Sequence, residues 1–115
     1  MAYHVLIACE GLPGKPVFDK YLGTASIVDT YWESVGRRLS LPIISGITER
    51  ADSEEGFVLE KESLAAFKDE LVELEKFWKS ADIEIAVPDG FFDDIEEIRK
   101  GVEEAITKHL KLMIG

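Results

Sequence analysis

KESLAAFKDELVELEKFWKSA, Lys61 to Ala81, decides how this chain folds. Its apolar residues Leu64, Phe67, Leu71, Leu74, Trp78 and Ala81 are spaced by 3, 4, 3, 4 and 3 positions. That repeat keeps side chains on one face of an α-helix. Val72 and Phe77 widen the stripe. A helix with so broad an apolar face draws most of its stability from tertiary packing, so it requires a core to lie on.

Downstream, Asp82–Pro88 (DIEIAVP) alternates Ile83, Ile85 and Val87 with Asp82, Glu84 and Ala86, the pattern of a half-buried strand. Asp89 then caps a last helix. Its apolar residues Phe91, Phe92, Ile95, Ile98, Val102, Ala105, Ile106, Leu110 and Met113 carry the helical repeat to Met113. Gly101 interrupts the run at a cost of about 1 kcal/mol relative to Ala. It marks either a close helix approach or a break between two shorter helices.

Upstream, Ala2–Cys9 (AYHVLIAC) is apolar on both alternating faces and reads as an inner strand. Glu10–Pro16 is a loop by its glycines and prolines. Its Gly14-Lys15 pair is not a phosphate loop: Cys9 stands where the motif needs Gly, and Pro16 where it needs Ser or Thr. Val17–Leu22 reads either as loop or as a short second strand. Ser26, with Asp29 three residues on, resembles an N-cap for a helix over Ile27–Leu39, which ends on Arg37 and Arg38. Pro42 to Arg50 fits a short helix, and Pro42–Ile47 fits an edge strand almost as well. Ala51–Gly56 is an exposed turn, and Phe57–Leu59 a brief strand or a lead-in to the central helix. The expected fold is α+β and helix-rich: a small antiparallel sheet with three or four helices packed on it. The length suits a single domain over residues 1–115.

Composition narrows function by exclusion. The single cysteine, Cys9, excludes an intrachain disulfide and a cysteine-rich zinc site. There is no twenty-residue apolar segment to span a membrane and no basic, apolar leader, so a cytoplasmic location is expected. Neither His4 nor His109 lies three residues after a Glu, and no His-Glu-x-x-His, calcium loop or glycine-framed serine elbow is present. No catalytic residue, metal site or cofactor is therefore expected.

The charge is uneven. The chain carries a formal −10, and residues 52–104 alone hold eighteen acids against six Lys and Arg. Such a field disfavours nucleic acid and anionic membranes and favours a basic protein partner. Glu54 and Glu55 in the turn, Asp69, Glu70 and Glu73 on the central helix, and Asp93, Asp94 and Glu97 on the last helix are the candidate docking residues. Part of this charge is matched at four-residue spacing by Glu75–Lys79, Glu96–Lys100 and Glu104–Lys108. Two other readings stay open. One is a homodimer through the aromatic-rich helices. The other is a carboxylate-based metal binder or enzyme, which would need buried acids with separated pKa values.

LPIISGITERADSEEGFVLEKESLAAFKDELVELEKF, Leu41 to Phe77, resembles small acidic bacterial immunity proteins of polymorphic-toxin and contact-dependent inhibition systems. The shared pattern is an apolar Leu-Pro-Ile-Ile segment, an acidic turn, and a helix carrying Leu64, Phe67, Glu70, Leu71 and Leu74. The resemblance implies a non-enzymatic protein that binds and neutralises a cognate toxin through an acidic surface. It assigns no individual binding residue.

Overall fold

The computed structural model describes residues 2–8, 16–52, 57–80 and 90–115. Four strands form one antiparallel sheet: β1 (Ala2–Ala8), β2 (Pro16–Thr24), β3 (Phe57–Leu59) and β4 (Lys111–Ile114). Their order is β2-β1-β4-β3, so β1 is an inner strand and β4 lies beside it. Val5 pairs with Ile114 and Ile7 with Leu112; β3 continues the rows through Phe57 and Leu59. His4 and Gly115 exchange both backbone hydrogen bonds, at 2.8 and 3.0 Å.

Period-two alternation sorts the side chains. Tyr3, Val5, Ile7, Leu22, Phe57, Leu59, Leu112 and Ile114 are buried in the core. His4, Leu6, Asp19, Tyr21, Val58 and Met113 fall at the alternate positions, and no helix among the described residues covers that face.

β4 corrects the sequence reading. The helical repeat was expected to run to Met113, but the last helix stops at Lys108, and His109 adopts a left-handed conformation (φ 57°). Leu110 and Met113 satisfy the 3/4 spacing, whereas Leu112 and Ile114 satisfy an alternating one. The open edge of β1 offers a hydrogen-bonded ladder that selects the second pattern.

The second strand is present over Pro16–Thr24, and the chain leaves it directly into helix. α1 (Ala25–Val28), a widened π-type turn (Asp29–Glu33) and α2 (Ser34–Leu39) run on without interruption. The cap is Thr24, not Ser26: its hydroxyl accepts from the Ile27 N–H at 3.4 Å. In the widened turn the Ser34 N–H reaches back five residues to the Asp29 carbonyl. Two carbonyls of the turn also accept from side chains. Ser34 Oγ donates to Thr30 O at 2.5 Å and Trp78 Nε1 donates to Tyr31 O at 3.0 Å.

The segment from Pro42 to Arg50 is helical, as a 3₁₀ turn (Ile44–Gly46) followed by α3 (Ile47–Ala51). It packs hard against α2 at Gly36, where a Cβ would stand 2.7 Å from the Ser45 backbone nitrogen.

The central helix is α4 (Glu62–Ser80) and the last is α5 (Phe91–Lys108). They run antiparallel: Lys68 meets Glu103 at 3.3 Å near one end, and Trp78 packs on Phe91 near the other. α5 lies on β1, β2 and β4. Gly101 sits where that helix presses closest, with Ile7 and Phe18 side chains 3.3 Å from a built Cβ, and the helix continues through it unbroken. Of the two readings of Gly101, the close approach holds. α4 buries Leu64, Phe67, Leu71 and Leu74 and rests mainly on α5. The strand read at Asp82–Pro88, the cap at Asp89 and the environment of Cys9 lie outside the described residues.

Candidate functional site

The fold gives the candidate docking acids different surroundings. Glu54 and Glu55 lie outside the described residues. Asp69 and Asp93 are exposed, with no side-chain partner among the described residues. Glu73 stands 3.7 Å from Lys76. Asp94 and Glu97 converge from successive turns of α5 on Lys20 of β2, at 2.9 and 2.7 Å. The bonds to Glu97 and Asp94 hold the Lys20 ammonium above its ordinary pKa against the cost of partial burial. This clasp ties helix to sheet across more than seventy residues of sequence and was not legible from spacing.

Glu70 requires a correction. The helical spacing puts it on the polar face of the central helix, but its side chain is buried at 5% exposure. Its carboxylate accepts from the backbone N–H groups of Ile43 (3.0 Å) and Ile44 (2.9 Å). Those donors open the 3₁₀ turn, and such groups have no partner within their own helix. Glu70 therefore caps a neighbouring helix from across the core. Burial pushes its carboxyl above the usual range, opposed by the Ile44 and Ile43 N–H groups and by the charge of Arg50.

A second inward polar group gathers near the start of β1. Tyr3 donates its phenol to both carboxylate oxygens of Asp52, at 3.1 and 3.0 Å. Burial first, then the bond to Asp52, raises the Tyr3 pKa, and Glu33 adds to the effect. Glu33, buried in the widened turn, accepts from Thr48 Oγ1 at 2.8 Å. These residues are dispersed in sequence and carry no motif that would have joined them. His4 sits apart on the open sheet face, with Nδ1 2.9 Å from Asp19 and its ring beside Tyr21. Among the described residues no group of three or more His, Cys, Asp or Glu is arranged to hold a metal ion.

The three i,i+4 pairs read from the sequence are formed: Glu75–Lys79 at 2.8 Å, Glu96–Lys100 at 3.5 Å and Glu104–Lys108 at 2.5 Å. Exposed pairs of this kind contribute at most about 1 kcal/mol each. With those three pairs set aside, α4 and α5 keep eight acids against three bases. Trp32 and Phe91, which belonged to the aromatic-rich helices, are buried, while Tyr31, Phe77, Trp78 and Phe92 are half-buried around them. No helix among the described residues is long and apolar enough to cross a membrane. No family model, curated protein or solved structure matches the chain.

Proposed function

We propose that this chain is a small acidic binding protein that docks a basic protein partner on the outward faces of α4 and α5. The observation that carries this reading is the surplus of eighteen acids over six bases between residues 52 and 104. A single-sign field of this strength attracts a complementary surface and accelerates its encounter. Its narrower form is an immunity-type inhibitor of a bacterial toxin domain in the cytoplasm, which the resemblance over Leu41–Phe77 supports. Asp69 and Asp93 are the first residues to test, because no ion pair among the described residues occupies them.

The experiment is titration calorimetry against a basic toxin domain encoded beside this protein, at low and high ionic strength. Binding is expected to weaken with salt and to weaken further when Asp69→Lys and Asp93→Lys are combined. No binding at low ionic strength, or affinity indifferent to both salt and charge reversal, would overturn the proposal.

A homodimer is the second reading, and the open sheet face favours it. Tyr21, Val58 and Met113 are 49%, 48% and 44% exposed there. Val58, Met113 and Leu6 stand in register on three adjacent strands. Light scattering over a concentration series decides it: a mass fixed at one chain removes the dimer.

A further inference from the structure

The start of α4 and the end of α5 part to leave a cleft of about 700 Å³. This volume is in the range of small-molecule sites. Leu64 and Ala65 form one wall, Ala105, Ile106 and Leu110 the other. Its mouth is polar, with Glu60, Lys61, Glu62, His109 and Lys111 around it.

Two features of the mouth are independent of the cavity. Lys61 and His109, which flank α4 and α5, both hold left-handed backbone, at φ 52° and 57°. Non-glycine residues take that conformation at an energetic cost, and such strain concentrates at ligand sites. The charges also do not cancel evenly. Glu60 is matched by Lys111 at 3.4 Å. Glu62 occupies the first turn of α4, where the helix dipole offsets a negative charge. Lys61 has no side-chain partner among the described residues, so its ammonium is available to an anion at the opening.

We propose that this cleft binds a small amphipathic monoanion, its apolar body between Ala65 and Ile106 and its carboxylate on Lys61. The apolar walls supply affinity through area removed from water, and the lysine selects the head group. The site is separate from the docking of a basic partner and does not depend on it.

Amide NMR titration of the full chain with decanoate and decyltrimethylammonium below their micelle concentrations, and with decanol below its solubility limit, tests the proposal. Decanoate should shift the Lys61, Ala65, Ile106 and Leu110 amides and bind about tenfold more tightly than decanol, the increment of one charge-assisted contact. Lys61→Gly relieves the left-handed backbone and should remove that preference while leaving decanol binding intact. Ala65→Trp, at an exposed position, should fill the cleft and abolish both, with the thermal transition confirming the fold. Equal affinity for the three probes, preference for the cation, shifts elsewhere on the surface or no shifts at all would overturn the proposal.

Discussion

The indole N–H of Trp78, in α4, donates to the backbone carbonyl of Tyr31 at 3.0 Å. That carbonyl lies in the widened turn between α1 and α2, where the regular helical bonding is displaced by one residue. One side chain thus fixes an irregularity in a distant helix and joins the two elements through their least regular point.

Trp78→Phe tests this link, because it keeps an aromatic ring against Tyr31 and Phe91 and removes only the donor. A loss of about 1–2 kcal/mol is expected from urea unfolding, the cost of removing one hydrogen bond to a part-buried carbonyl. Faster hydrogen exchange at Ser34 should accompany it, since that amide closes the widened turn.

Glu70 gives a dependence on pH whose sign runs against that of an ordinary salt-bridged acid. Its pKa is raised in the folded chain, so the folded state holds the proton more tightly than the unfolded one. Stability contributed by this group is full below the usual carboxylate range and falls as pH rises through the raised value. Glu70→Gln keeps an acceptor for Ile43 and Ile44 and should flatten that part of the profile relative to wild type. Glu70→Ala leaves both N–H groups buried without a partner and should cost about 2–4 kcal/mol at every pH. Urea midpoints across the acid-to-neutral range measure both effects; parallel profiles for wild type and Glu70→Gln would refute the assignment.

Two glycine-to-alanine changes should separate two kinds of close approach. At Gly36 the added Cβ meets backbone, the Ser45 nitrogen at 2.7 Å, which cannot step aside without moving the 3₁₀ turn. Gly36→Ala should lose about 2–3 kcal/mol. At Gly101 it meets only side-chain atoms of Ile7 and Phe18 at 3.3 Å. There the gain in helix propensity, about 1 kcal/mol, offsets the crowding, and Gly101→Ala should lie within about 1 kcal/mol of wild type. Thermal denaturation of both variants makes the comparison.

Lys20→Met should release Asp94 and Glu97 from the sheet while keeping the apolar stem of the side chain. The expected loss is about 1 kcal/mol at low ionic strength and less in high salt, because the group is partly exposed. Calorimetric unfolding at two salt concentrations checks it.

What the sequence made legible is what depends on neighbours along the chain. The stripe from Leu64 to Leu74, the alternation of Tyr3, Val5 and Ile7, and the Glu-to-Lys pairs each rest on spacing of seven residues or fewer. What it concealed depends on distant partners. Glu70 follows the polar rhythm of its helix, and only the bare N–H groups of Ile43 and Ile44 draw it inward. KLMI at Lys111–Ile114 fits two periodicities, and the unpaired side of β1 chooses between them. The acidic candidates scattered for the same reason, since Lys20 lies on another element and captured two of them.

The placement of β4 bears on the order in which the molecule can be assembled. This strand is translated after every other element described, yet it fills the gap between β1 and β3. Until it emerges from the ribosome, the nascent chain holds only a hairpin and an orphan three-residue strand, with no continuous sheet for the helices to seat on. Cooperative closure must therefore wait for Lys111–Ile114. A frameshift or a proteolytic nick just ahead of them would part Lys111–Ile114 from the rest and, with them, the partner of both halves.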